Sequence, residues 1–117
     1  MAVPPSLNLP EDLARALKDV VRTIVAIAQP ELVILFGPWA EGGAHEDRDV
    51  DLMVIADTER RPMLAVQLSD VVRPALRPRS CGLVVIRTED WPKYSQTPGF
   101  LMHDVDQNGV KLYERPA

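Results

Sequence analysis

The segment that most limits how this chain can fold is ELVILF, residues 31–36, which is followed directly by Gly37 and Pro38. The run is apolar at almost every position and rich in residues that favour strands, so it predicts a β-strand buried on both faces. Gly37 and Pro38 mark its end because neither residue continues a strand readily. A strand with two buried faces has to be covered by other elements, so we expect helices to pack over its sheet.

The rest of the chain alternates between helix and strand patterns. The predicted elements are, in chain order, helix 11–28, strand 31–36, strand 49–55, helix 60–76, strand 82–86, helix 98–107 and strand 110–113. Trp91 and Tyr94 are expected in a proline-flanked loop. This order predicts an α/β or α+β sandwich in which helices cover a small sheet.

Length and composition fit a single domain. A chain of 117 residues is long enough for one core, and we expect one domain over residues 1–117. No apolar run approaches the roughly 20 residues that span a bilayer, and the first residues lack an export signal, so we expect a soluble, cytoplasmic protein without a membrane partner. The formal net charge of -4 argues against broad electrostatic capture of nucleic acid. Cys81 has apolar neighbours, which favours a packed thiol over a nucleophile.

Three arginines, Arg73, Arg77 and Arg79, form a local basic cluster late in the chain. Such a cluster could hold RNA or a phosphate group. Pro74 and Pro78 interrupt it, however, and a solvated loop is the alternative that the prolines favour.

Two aspartates one residue apart, Asp49 and Asp51, open the predicted strand 49–55. Alternation along a strand puts both carboxylates on one side, where they repel. Mg²⁺ is the natural counter-ion, because it takes one or two carboxylates and completes its shell with water and phosphates. Gly37 lies where the preceding strand turns into a short helix, and backbone N–H groups at such a turn can hold phosphate. If the two strands are neighbours, this turn and the aspartates converge. The alternative to a metal site is that the pair opens a strand at a solvated sheet edge.

These residues resemble the signature of the minimal nucleotidyltransferases of the DNA polymerase β superfamily. That signature runs from a strand through Gly-Ser and a short helix to Ser-Asp-x-Asp-Leu on the next strand. The positions that match it without a gap are Gly37, Ala40, Gly42, Asp49, Asp51 and Leu52. The resemblance continues through the third strand to residues 111–115. It implies the nucleotidyltransferase fold, a mixed β-sheet packed against helices.

The resemblance also implies an activity. Members of the family use two Mg²⁺ ions to transfer a nucleotidyl group from an NTP, with pyrophosphate leaving. On that basis Asp49 and Asp51 are the expected metal ligands and catalytic residues. The residues expected to bind the nucleotide and its phosphates are Gly37, Pro38, Trp39 and Arg48. ATP is the expected donor, AMP the group transferred, and a protein or RNA the acceptor. Small members commonly act as antitoxins of HEPN-type proteins, so such a partner is expected, and oligomerisation stays open.

Several positions depart from the family pattern. Pro38 replaces the motif serine and removes both a hydroxyl and a backbone N–H. Arg48 replaces the serine before Asp49 and could restore positive charge. Trp39 could stack on a nucleobase or anchor the short helix to the core, and packing is the favoured alternative. Gly82 falls where the family has its third carboxylate, and glycine supplies neither a ligand nor a base.

Gly82 leaves more than one function open. The chain is a Mg²⁺-dependent nucleotidyltransferase if another carboxylate serves in place of the missing one, and Glu46, Asp47 and Asp104 are the conceivable substitutes. Alternatively, it is a catalytically degenerate, antitoxin-like module that neutralises a HEPN-type partner. A third alternative is a nucleotide or metal sensor that binds NTP without transfer.

Overall fold

A computed structural model of the protein describes residues 7–42 and 48–116. Every predicted helix and strand is present. In chain order the elements of the described residues are α1 (Glu11–Ala28), β1 (Leu32–Phe36), α2 (Pro38–Glu41), β2 (Val50–Ala56), α3 (Arg61–Leu76), β3 (Cys81–Arg87), α4 (Trp91–Ser95), α5 (Leu101–Asn108) and β4 (Val110–Glu114). Among these helices, none combines the length and apolar character needed to cross a bilayer.

The strands form one mixed sheet in the order β3-β2-β1-β4. β1 is antiparallel to both of its neighbours, β2 and β4, whereas β2 and β3 are parallel. α3 connects the parallel pair, because parallel neighbours need a long crossover rather than a hairpin. This is the mixed, helix-covered sheet that the family resemblance implies, so the predicted fold class is confirmed.

Apolar side chains fill both faces of the sheet. On one face Val33 and Leu35 of β1 pack with the buried side of α1 and with Leu68 of α3. On the other face Leu32 and Ile34 pack with residues of α4 and α5. β1 is therefore buried on both faces, as its unbroken apolar run predicts. Each fully buried aliphatic side chain stabilises the fold by roughly 1.5 to 3 kcal/mol. The burial of β1 therefore stabilises the part of the sheet where Gly37 follows this strand.

The prediction of a loop around Trp91 and Tyr94 is wrong. Both residues lie in the short helix α4, and Trp91 is buried against the sheet. Pro92 lies in the first turn of that helix, where a missing N–H costs no intrahelical hydrogen bond. The prolines that suggested a loop therefore mark the start of a helix.

The prediction of a solvated loop for the arginine cluster is also wrong for two of its three members. Arg73 lies in the last turn of α3, which contains Pro74. A proline removes one hydrogen bond from a helix, and this close to the end of the helix few other bonds depend on it. Arg79 is buried, with an exposure of 9%, so only Arg77 matches a solvated connection.

Candidate metal and phosphate site

Three strands bring the predicted site residues to one end of the sheet. Gly37 follows the last residue of β1, while Asp51 and Gly82 are the second residues of β2 and β3. The pairing register aligns Asp51 with Phe36 on one side and with Gly82 on the other. Because β1 is antiparallel and β3 parallel to β2, the last residues of β1 meet the first residues of both other strands. The Gly37 turn and the aspartates therefore converge, as expected for neighbouring strands.

Asp51 lies between two glycines that leave room for its carboxylate. A Cβ atom at position 37 would lie 2.5 Å from Oδ2 of Asp51, and one at position 82 would lie 2.9 Å from Oδ1. Both distances are shorter than real side-chain contacts. Gly37 also has a φ of 75°, a left-handed conformation that glycine adopts without strain. A side chain at either position would displace the Asp51 carboxylate, so both glycines shape the site.

The charges at this end of the sheet are unbalanced. Burial raises the pKa of Asp51 above its ordinary value, the charge of Asp49 raises it further, and Arg48 partly lowers it. Asp49 is two residues before Asp51 in the chain and acts on its carboxylate electrostatically, which agrees with the expectation that the two charges lie on one side. Asp49 is exposed just before β2, whereas Asp51 is partly buried. A cation beside both would favour the charged form of Asp51.

The residues present fit a magnesium ion. Asp49 and Asp51 supply two carboxylates, and Mg²⁺ takes one or two together with water and phosphate oxygens. Among the residues that the structure describes, no three His, Cys, Asp or Glu side chains are grouped to hold a metal. Asp104 is exposed and accepts a hydrogen bond within α5, while Glu46 and Asp47 lie outside the described residues. The carboxylate pair suits a single ion better than the two that the family resemblance implies.

The turn after β1 is tight, and one of its residues, Pro38, lacks a backbone N–H donor. Pro38 is the first residue of α2 and has no N–H. The N–H groups of Ala40 and Glu41 donate to the Gly37 carbonyl oxygen at 3.0 and 3.2 Å. The other N–H groups of the turn belong to Gly37 and Trp39. Pro38 can therefore shape a phosphate site but cannot donate to a phosphate.

Trp39 packs against the core in this structure. Its exposure is 6%, and it belongs to the apolar cluster that includes β1. Its Nε1 donates to the carbonyl oxygen of Arg48 at 3.1 Å, which ties α2 to the residue before Asp49. The guanidinium of Arg79 lies 5.6 Å from the centroid of the indole ring. Of the two alternatives for Trp39, the structure shows packing, since the ring is not exposed for base stacking.

Arg79, which the sequence shows only as part of the basic cluster, makes a long-range contact beside the site that the sequence does not predict. Its Nη1 donates to Oδ2 of Asp12 at 3.0 Å, and its own side chain is 7% exposed. This hydrogen bond lowers the pKa of Asp12. The two residues are 67 positions apart, so no local pattern connects them. Their contact joins the segment before β3 to α1, next to the start of β3 that pairs with Asp51.

Cys81 is the first residue of β3, at the same end of the sheet, and its thiol is buried. Burial raises the pKa of its thiol to about 11; Arg73 lowers that pKa, and Asp51 and Asp49 raise it. A thiol with this pKa is neutral near pH 7 and is neither a nucleophile nor a metal ligand. The expectation of a packed thiol is confirmed.

Comparison with known proteins finds one matching family and two similar solved structures. Residues 17–117 match the family described as polymerase beta, nucleotidyltransferase. A candidate nucleotidyltransferase from Sulfolobus solfataricus has a similar structure, with a TM-score of 0.56, 16% identity, and coverage of 88% of this chain and 81% of that chain. A toxin-antitoxin structure with AMP-PNP is also similar, with a TM-score of 0.54, 21% identity, and coverage of 91% of this chain and 75% of that chain. No curated protein sequence matches. At such identities the two structures establish the fold alone.

Proposed function

The chain belongs to the polymerase β nucleotidyltransferase family, and from this premise we propose that it binds an NTP with Mg²⁺ and transfers a nucleotidyl group. The observation that carries this proposal is the place of Asp51 between Gly37 and Gly82, with the charge of Asp49 close by. Asp49 and Asp51 would hold the ion, which when bound supplies positive charge to the carboxylates and the phosphates. ATP is the donor we propose, and the presence of AMP-PNP in the toxin-antitoxin structure of the same fold supports it.

In the proposed reaction, an acceptor hydroxyl attacks the α-phosphorus of ATP. Its oxygen bonds to that phosphorus, the bond from the α-phosphorus to the bridging oxygen breaks, and pyrophosphate leaves with the electron pair. Gly37 lets the backbone come close to the leaving phosphates, and Arg48 adds positive charge near Asp51. Because position 82 carries no carboxylate, the hydroxyl proton passes to water. A positioned base contributes about 10² to 10⁴ in rate, so we expect slow transfer.

Gly82 also favours a second candidate function, an antitoxin-like binding module. The carboxylate missing at this position matters for transfer but not for covering the surface of another protein. One of the two similar structures is a toxin-antitoxin structure, which supports a protein partner. The partner that we propose is HEPN-type. The free, buried thiol of Cys81 fits a reducing compartment, and the cytoplasm is the location that we propose.

Calorimetric titration with ATP, in Mg²⁺ and in EDTA, tests the binding site. The double variant Asp49→Ala/Asp51→Ala should lose the Mg²⁺-dependent binding. Asp57→Ala/Glu59→Ala is the matched control, because it makes the same charge change at exposed positions beyond the other end of β2. It should bind as the unaltered protein does. Unchanged affinity in the first variant would eliminate the metal site.

ATP labelled at the α-phosphate separates the two candidate functions. Label that passes to a protein or an RNA, with release of pyrophosphate, supports the transferase. Binding of ATP without any transfer, in the presence of a partner that the protein binds, supports the binding module instead.

A further inference from the structure

A cavity of about 400 Å³ opens beside the aspartates, on the β3 side of the site. It is formed by the end of α3 and the segment that leads into β3. The residues that line it are Arg73, Arg77, Pro78, Arg79, Ser80 and Cys81. This segment adjoins the start of β2, since the N–H of Val50 donates to the carbonyl oxygen of Ser80 at 2.8 Å and Val50 pairs with Cys81.

Two of the three arginines that line this cavity have a positive charge that is available to bind an anion. Arg79 is engaged by Asp12, as described above. Arg73 and Arg77 are exposed, and in the part of the chain that the structure describes neither forms an ion pair with a carboxylate. The helix dipole favours cations at the C-terminal end of α3, but it does not explain why both arginines line one cavity. An anion in the cavity would offset the repulsion between them.

The cavity and the carboxylates belong to one electrostatic environment. Arg73 and the two aspartates all act on the thiol of Cys81, which lies in the wall of the cavity. The next residue, Gly82, is the one whose missing side chain leaves space for Oδ1 of Asp51. The basic cavity is therefore one residue away from the contact with the proposed metal ligand.

The side from which the acceptor attacks the phosphorus is the side on which the cavity lies. This step rests on the proposed function. In phosphoryl transfer the attacking and leaving oxygens lie roughly in line, on opposite sides of the phosphorus. Oδ2 of Asp51 faces the Gly37 turn and Oδ1 faces Gly82. If pyrophosphate leaves at the turn, the acceptor hydroxyl arrives from the side of Gly82, where the arginines lie.

We propose that Arg73 and Arg77 bind a backbone phosphate at the end of a single-stranded nucleic acid, whose terminal hydroxyl is the nucleotidyl acceptor. The planar guanidinium group matches phosphate oxygens in pairs, which favours phosphate as the anion. In a nucleic acid the hydroxyl and the phosphate belong to one nucleotide, so an anion held in the cavity positions the hydroxyl near Asp51. A hydroxyl side chain of a protein carries no anion at a fixed distance from it.

Fluorescence anisotropy with a labelled oligonucleotide tests this proposal. RNA and DNA oligonucleotides of one sequence are titrated separately in EDTA without ATP, so that binding does not depend on the metal site. The variant Arg73→Gln/Arg77→Gln should lose about tenfold or more in affinity for whichever strand binds. The slope of log affinity against log salt should fall by about 0.7, since the two arginines together neutralise one phosphate of a single strand.

The matched control is Arg60→Gln/Arg61→Gln, which changes the same charge at the opposite end of α3. It should bind the oligonucleotide as the unaltered protein does, and thermal unfolding verifies that both variants fold. Equal losses of oligonucleotide affinity in the two double variants would mean that only the net charge matters, and would overturn the proposal. So would an acidic peptide that binds the unaltered protein as tightly as the oligonucleotide does.

The ATP titration described above keeps the two proposals separate. Arg73→Gln/Arg77→Gln should retain Mg²⁺-dependent ATP binding, and Asp49→Ala/Asp51→Ala should retain oligonucleotide binding. Arginine-dependent oligonucleotide binding without any ATP binding would overturn the transferase and leave the cavity as a nucleic-acid site. ATP binding with no arginine-dependent oligonucleotide binding would overturn the acceptor site alone.

Discussion

Replacing Asp51 by asparagine should stabilise the fold while it abolishes Mg²⁺ binding. Asp51 is partly buried, and burial followed by the charge of Asp49 raises its pKa above the ordinary value of 3.8. A raised pKa means that the charged carboxylate is less stable in the folded chain than in the unfolded chain. Asparagine keeps the shape of the side chain and removes the charge, so this penalty disappears.

The sign of the pH dependence follows from the same shift. Between 3.8 and the raised pKa, the folded chain still holds a proton that the unfolded chain has lost. The free energy of unfolding therefore falls as the pH rises through that window, and above it the full penalty persists. Relieving an unfavourable charge is one of the single changes that commonly gain about 0.5 to 2 kcal/mol. For a chain of this length that is a rise of roughly 2 to 8 °C in Tm.

Thermal unfolding followed by circular dichroism in EDTA measures this effect. Asp51→Asn should unfold at a higher temperature than the unaltered protein at pH 7, and the difference should shrink near pH 3. Asp57→Asn is the control, because it removes one exposed carboxylate past the other end of β2 and should change stability by less than about 0.5 kcal/mol. Mg²⁺ with ATP should raise the Tm of the unaltered protein and of Asp57→Asn, but not that of Asp51→Asn. A lower Tm for Asp51→Asn at pH 7 in EDTA would refute the reasoning.

Three further predictions concern the surroundings of Asp51. Gly82→Ala puts a Cβ atom 2.9 Å from Oδ1 of Asp51, so calorimetry should show Mg²⁺-dependent ATP affinity lower by about tenfold; an unchanged affinity would contradict the close approach. Cys81, with a buried thiol and a pKa of about 11, should react with iodoacetamide at pH 7 far more slowly in the folded chain than in urea. Trp39→Phe removes the donor to the Arg48 carbonyl oxygen and should lower stability in urea by about 1 to 2 kcal/mol, whereas an equal stability would mean that this bond is dispensable.

The framework of the fold is predictable because its signals are local. The helical spacing of apolar residues gives α1 its observed bounds, Glu11–Ala28. The apolar run before Gly37 gives a strand that is buried on both faces, since only a covered central strand can hold apolar side chains on both sides. The site follows from the same signals once β1 and β2 are neighbours, because their antiparallel pairing brings Gly37 to Asp51.

What the sequence does not predict depends on contacts between distant segments. The hydrogen bond from Arg79 to Asp12 joins the start of β3 to α1, and neither residue carries a local mark of it. Tertiary packing likewise decides α4, where Trp91 is buried although the surrounding prolines suggest a loop. The basic cavity also becomes visible only when the end of α3 and the segment before β3 fold together.

In the sequence, Gly82 is the position at which a carboxylate is missing. In the structure, the same glycine makes room for the carboxylate of Asp51. An aspartate there would begin with a Cβ atom 2.9 Å from Oδ1 of Asp51. Its charge would act on Asp51 in the same direction as that of Asp49, which already raises the pKa of Asp51. Oδ2 of Asp51 likewise lies in the space that a Cβ atom would need at position 37, so the carboxylate uses the room that both glycines leave. The glycine at position 82 and the present position of Asp51 therefore depend on each other, so a third carboxylate can return only if Asp51 moves.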